Sequence, residues 1–174
     1  MEKILIFTAT YNELKNIEEL IAGIKKNCKY ADILIIDDNS PDGTGILLKK
    51  IEQKDDNLKV VIRDGKLGLD TAHKFAYEYA LLNNYHYLIT MDADLSHNPE
   101  EIPTFLENVY DNDFVLGSRY ITGGKNKLNL FRFLLSFFGN KLIKHLLSLK
   151  CSEFTSSYRA FNLKKMKDFR MEKI

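Results

Sequence analysis

The sequence is poor in the residues that build covalent or metal frameworks. Its two cysteines, Cys28 and Cys151, stand far apart in a chain of 174 residues and in no metal-ligand spacing. That argues against a disulfide framework, and a reducing cytosol fits better. The four histidines, His73, His86, His97 and His145, show no paired spacing of the kind that holds zinc. No run of about 18 uncharged apolar residues occurs, so no transmembrane segment is expected. The apolar run in the N-terminal MEKILIFTATYNE is too short for a signal peptide. Internal repeats and low-complexity linkers are absent. An excess of charge is missing too: 25 Lys+Arg stand against 24 Asp+Glu, for a net +1. That balance argues against a generic nucleic-acid partner, which would need a basic surface.

What is present is an alternation of apolar runs and amphipathic segments in a chain long enough for one domain, 1–174. Short apolar runs at Lys3–Thr8, Asp32–Ile36, Leu58–Ile62, Tyr87–Met91 and Phe114–Leu116 read as buried strands. Between them, Asn12–Lys26, Thr44–Gln53 and Asp70–Asn83 read as helices. Asn98-Pro99-Glu100-Glu101 supplies an N-cap, a proline at the first helical position and an acidic first turn, so a helix follows to about Tyr110. Such alternation predicts an α/β fold, a mainly parallel sheet sandwiched by helices.

Ligands in such sheets bind at the carboxyl ends of the strands. The polar clusters fall there: Thr10-Tyr11-Asn12-Glu13, Asp37-Asp38, and Asp92-Ala93-Asp94. In an extended chain Asp92 and Asp94 would lie roughly 6–7 Å apart on one side. A divalent cation, Mg²⁺ or Mn²⁺, would relieve their repulsion, since both ions prefer oxygen ligands. A turn cap beside a solvated carboxylate explains an isolated Asp-x-Asp equally well, and Asp37-Asp38 also fits a plain turn before a helix. Gly65-Lys66-Leu67-Gly68-Leu69 lacks the ending of an ATP-binding phosphate loop. Gly117-Ser118-Arg119-Tyr120 follows a strand and offers a guanidinium suited to pyrophosphate.

Residues 130–149, LFRFLLSFFGNKLIKHLLSL, carry Phe131, Leu134, Leu135, Phe138, Leu142, Leu146 and Leu149 at helical spacing. Arg132 and Ser136 share one face, and Gly139-Asn140 could break the segment into two helices. Basic residues flank the apolar ones, so 130–150 fits a membrane-interface helix or an amphipathic helix covering the sheet. Tyr158 and Arg159 read as part of a basic tail with Lys164, Lys165, Lys167 and Arg170.

Taken together, these stretches resemble the polyprenol-phosphate (dolichyl-phosphate) mannosyltransferases, inverting glycosyltransferases of the nucleotide-sugar-binding GT-A type. The match runs in order through Thr10-Tyr11-Asn12-Glu13, Asp37 to Thr44, Lys66-Leu67-Gly68-Leu69, Asp92 to His97, Gly117 to Tyr120, and Arg132 with Ser136. The resemblance implies that Ala9, Tyr11, Glu13 and Asp38 line a nucleotide-sugar pocket. It implies that Asp92, Ala93, Asp94 and Ser96 surround the metal and diphosphate. It assigns Arg119 to donor or acceptor phosphate, and Arg132 and Ser136 to the lipid phosphate. Asp92, Asp94 and Arg119 would be catalytic, and Asp92, Asp94 and Ser96 the metal residues. The implied reaction moves a hexose, mannose from GDP-mannose, onto a polyprenyl or dolichyl phosphate at the cytoplasmic face of a membrane, with peripheral contact. A UDP-glucose-type donor and an inactive nucleotide-binding domain stand as alternatives. The sequence departs from the family pattern at Ala9, Ser96, Asp70, Glu153 and Ser156, and it ends at Ile174 before the usual C-terminal region.

Overall fold

In the computed structural model of the protein, residues 2–118, 130–146 and 153–166 are described, with side chains from residue 134 onward in the middle stretch. Six strands form one sheet in the order β3-β2-β1-β4-β6-β5. They are β1 Ile4–Thr10, β2 Asp32–Asp37, β3 Leu58–Ile62, β4 Tyr87–Thr90, β5 Phe114–Leu116 and β6 Arg159–Asn162. The helices are α1 Ile17–Asn27, α2 Thr44–Glu52, α3 Leu69–Leu82, α4 Ile102–Asp111 and α5 Leu130–Leu146. The alternation of strands and helices is thus realised as a parallel β1–β4 block, to which β6 pairs antiparallel along β4.

Strands β1, β2 and β4 are buried on both faces, which is why they read as unbroken hydrophobic runs. On one face Ile4, Ile6, Ile33, Ile35 and Ile89 pack against Ile17, Leu20, Ile21 and Ile24 of α1, Leu48 of α2, and Ile102, Phe105 and Val109 of α4. On the other, Leu5, Phe7, Leu34, Ile36 and Leu88 meet α3. Ala72, Ala76 and Ala80 recur every fourth residue on α3, and their small side chains let Tyr77 and the helix backbone settle against the strands.

Three expectations need correction. Helix α1 starts at Ile17 rather than Asn12, because Asn12 takes a left-handed conformation (φ 63°) and the Glu13 carbonyl turns back to accept the Asn16 amide. Gly139-Asn140 does not break α5, which runs unbroken through both residues; the Asn140 side-chain amide donates to the Ser136 carbonyl one turn earlier at 2.9 Å, a bond a continuous helix accommodates. Tyr158 and Arg159 are not part of a solvated tail. Tyr158 is buried and Arg159 opens β6, paired with Thr90.

The chain divides into two compact units, Met1–Val115 with Tyr158–Ile174, and Leu116–Ser157. In the second unit, Asn140 also accepts the Phe154 amide at 2.8 Å, fastening that segment to α5. Leu135, Phe138, Leu142 and Leu146 of α5 are 67, 61, 58 and 70% exposed.

Candidate nucleotide-sugar site

The strand order reverses at β1. The chain runs outward through β2 and β3 on one side, then returns to place β4 on the other. Such a switch point leaves a crevice at the carboxyl ends of the flanking strands. The loops after β1, β2 and β4 all leave from that edge, with Thr10 opposite Asp37 and Phe7 opposite Thr90.

The loop after β2 is a scaffold for the loop after β1. Asp37, fully buried, accepts from the Thr10 hydroxyl (2.9 Å), the Ser40 amide (2.9 Å) and the Ser40 hydroxyl (2.6 Å). Asp42 accepts the Thr44 amide and hydroxyl and the Leu14 amide. Ser40 and Thr44 hydroxyls in turn accept the Asn12 and Glu13 amides. Gly45 packs tightly beside this network: a Cβ there would lie 3.0 Å from Asp37 Oδ2. Ser-Pro-Asp-Gly-Thr thus fixes the backbone that carries Tyr11 and Glu13. Glu13 accepts the Asn16 side-chain amide at 2.7 Å, and Tyr11 is half-exposed under the Lys66 ammonium, 4.1 Å from its ring centroid.

Asp38 pairs with Arg63, which follows β3, through Arg63 Nε and Nη2. Arg63 Nη1 donates to the Thr71 hydroxyl (2.6 Å) and Nη2 to the Gly68 carbonyl (3.0 Å). Gly68 holds φ +94°, a conformation side chains disfavour, and this turns its carbonyl toward the guanidinium. Sequence reasoning passed over Arg63; the signal was a lone arginine directly after a buried strand.

After β4, Asp92 is half-buried, Asp94 and Ser96 are exposed, and Ala93 is buried in the α1/α4-side core. Ala93 can therefore present only backbone to the crevice. Ala9 lies within β1 opposite Ile36 and packs on the α3-side core. Asp94 Oδ1 accepts the Ser96 amide at 2.9 Å, and Leu95 between them is left-handed (φ 59°). The Asp92 amide donates to His97 Nδ1 at 2.9 Å. Arg119 lies outside the described residues, and so does the side chain of Arg132. Ser136 sits on α5, where its hydroxyl oxygen is 3.3 Å from the Asn140 amide nitrogen.

His73 of α3 stands edge-on to Phe7, with ring centroids 5.2 Å apart. Burial, then the Arg159 cation, push its pKa down to about 4, against the opposing pull of Asp92 and Asp70. Burial also lowers Arg159, and Asp92 opposes that shift. The carboxyl end of β4 is thus flanked by a cation and a neutral imidazole. The folded protein disfavours protonated His73, so its contribution to stability is fully present above pH 6.5 and is lost as the pH falls toward 4. The expected loss across that window is about 3 kcal/mol. Urea unfolding of the wild type and His73→Leu at pH 7.5 and 4.5 checks it. The wild type should show the steeper decline, and equal slopes would contradict it.

This is a mainly parallel α/β fold with an acidic loop at its switch point. The chain belongs to glycosyl transferase family 2, whose family model matches residues 5–170. It is 35% identical over 163 residues to a polyprenol monophosphomannose synthase of Mycolicibacterium smegmatis, covering 92% of this chain and 62% of that protein. It is 34% identical over 160 residues to an undecaprenyl-phosphate mannosyltransferase of Micrococcus luteus, covering 91% of this chain and 66% of that protein. The chain thus spans less than two thirds of the length of either relative. Among solved structures it is similar in fold to glucosyl-3-phosphoglycerate synthase from Mycobacterium tuberculosis in complex with Mn²⁺, UDP-glucose and phosphoglyceric acid. There the TM-score is 0.67 at 18% identity, over 94% of this chain and 57% of that one. A mannosyltransferase from Pyrobaculum calidifontis in complex with GDP-Man and Mn²⁺ gives a TM-score of 0.64 at 17% identity, over 95% and 46%.

Proposed function

We propose that the protein transfers mannose from GDP-mannose to a polyprenyl phosphate, with inversion, at the cytoplasmic face of a membrane. The observation that carries the reading is the Asp92-Ala93-Asp94 loop at the β1/β4 switch point, on the same sheet edge as the loops that carry Tyr11, Glu13 and Asp38. The names of the two relatives supply the acceptor class and the sugar.

The donor set suits Mg²⁺ or Mn²⁺. It is made of hard carboxylate oxygens, with Asp94 exposed at the loop tip. Among the described residues no three His, Cys, Asp or Glu side chains converge on one point. Asp94 and Asp92 would therefore hold the ion together with donor phosphates and water, the usual manner for Mg²⁺. When bound, the ion neutralises charge on the departing diphosphate. Ser96 would contribute through its amide's hold on Asp94. Tyr11 and the Asp38–Arg63 pair would bind and orient the nucleoside. The acceptor phosphate, with a second pKa of about 6, is already anionic near neutral pH and needs no strong base. Arg119 and Arg132, assigned from the resemblance, would offset the repulsion between two anionic substrates.

No helix among the described residues is long and apolar enough to cross a membrane. The exposed apolar side chains of α5 support peripheral contact with the lipid surface that presents the acceptor. The test is incubation with GDP-mannose, UDP-glucose and other nucleotide sugars, Mg²⁺ or Mn²⁺, and polyprenyl phosphate in anionic vesicles. The expected product is a mannosyl-phosphoryl polyprenol, with the protein floating with the vesicles. Product from UDP-glucose alone would reassign the donor. Nucleotide binding with no product from any donor would reduce the chain to a binding domain.

A further inference from the structure

We propose that His97 is a positioning residue for the Asp92–Asp94 loop: its Nδ1 holds the Asp92 amide and so sets the direction in which the loop presents its carboxylates. This rests on the reading of that loop as the metal and diphosphate site. Its Nδ1 accepts the Asp92 amide at 2.9 Å, so the proton of the neutral ring sits on Nε2. Nε2 lies 3.6 Å from Asp92 Oδ2, beyond hydrogen-bond range, so of these two contacts with Asp92 the backbone one is directional. One side chain thereby closes a six-residue loop onto its own first residue.

The ring is itself held. It stacks on Tyr158 with centroids 4.8 Å apart and planes 20° from parallel, and Tyr158 stacks on Phe105 of α4 at 4.2 Å and 23°. The Tyr158 hydroxyl donates to the Asn98 carbonyl at 3.0 Å, immediately after His97. The loop start, the loop end, the residue leading into β6 and α4 are thus joined through one aromatic column. The need for such a brace is visible at Leu95, whose left-handed backbone (φ 59°) is disfavoured for a side chain of that size. Conformations of this kind persist when the surroundings over-determine them. Residues behind a metal ligand that fix its orientation affect metal affinity without touching the metal.

The test separates the acceptor nitrogen from the ring's bulk. His97→Phe keeps a stacking ring but removes the acceptor, whereas His97→Asn restores an acceptor oxygen. Mn²⁺ binding is read by electron paramagnetic resonance of free Mn²⁺ with GDP present. His97→Phe should weaken Mn²⁺ binding about 10- to 100-fold, and His97→Asn should recover most of it. Metal-free GDP binding should be unchanged in both. Wild-type Mn²⁺ affinity in His97→Phe, or equal weakening in both variants, would overturn the proposal. Asp94→Asn serves as the control. Undiminished Mn²⁺ binding there would sink the metal site itself, whereas loss there with full retention in His97→Phe would sink only the role of His97. Independently of any variant, nitrogen NMR of the wild type should show His97 Nδ1 as an unprotonated acceptor, and a protonated Nδ1 would refute it.

Discussion

Asp94→Asn should lower the rate of sugar transfer by about 10²- to 10³-fold, while leaving the fold and the loop intact. The substitution keeps the oxygen that accepts the Ser96 amide, so the turn at Leu95 has no reason to rearrange. What it removes is one negative charge at an exposed position on the loop tip. Groups aimed at charge that develops in a transition state are worth on the order of 3–4 kcal/mol each, which is the source of the rate estimate. The measurement is product formation against a titration of Mg²⁺ and Mn²⁺, with a thermal melt as control. Near-wild-type turnover with unchanged metal dependence would remove the carboxylate from the chemistry. Asp92→Asn makes a poorer probe. Asp92 is half-buried near Arg159 and His73, so losing its charge also disturbs the balance of the strand end.

The α/β class and most strand and helix positions were legible, because a doubly covered parallel sheet writes itself as apolar runs of strand length. Its crevice edge was legible for the same reason: chain order alone puts Tyr11, Asp38 and Asp92 at strand carboxyl ends. β6 was not legible. Four residues, Arg159-Ala160-Phe161-Asn162, give too short an alternation to stand out from a run of lysines, and their pairing with β4 is a contact across about seventy residues of sequence. The same distance hid Arg159 and Tyr158 as neighbours of the Asp92 loop. The aspartates were legible as acids but not as roles. Asp37 and Asp38 are adjacent, yet one is fully buried as an acceptor for Thr10 and Ser40, and the other is tied to Arg63. Strand alternation points neighbouring side chains to opposite faces, and no local signal says which face meets ligand.

That division of labour has a large energetic consequence at Arg63. Replacing it with methionine should destabilise the protein by about 3–5 kcal/mol, the usual result of stripping one partner from a buried ion pair. Arg63 and Asp38 side chains are 11 and 10% exposed, so water cannot readily take the place of the guanidinium. The Thr71 hydroxyl and the Gly68 carbonyl lose a donor as well, loosening the start of α3 from the end of β2. For a chain of this size each kcal/mol moves the melting temperature by roughly 2–4 °C, so a fall of about 10 °C is expected. Arg63→Met with Asp38→Asn should recover part of that loss, because the orphaned charge is gone. Strict additivity of the two single changes would show that the pair is not coupled. Lysine at 63 should rescue poorly, since it cannot span Asp38, Gly68 and Thr71 with one planar fork. Measured at a temperature where Arg63→Met remains folded, GDP affinity then isolates the nucleotide role. If Arg63 only braces the fold, affinity stays at the wild-type level. If the pair faces the nucleoside, as the switch-point geometry argues, affinity falls with it.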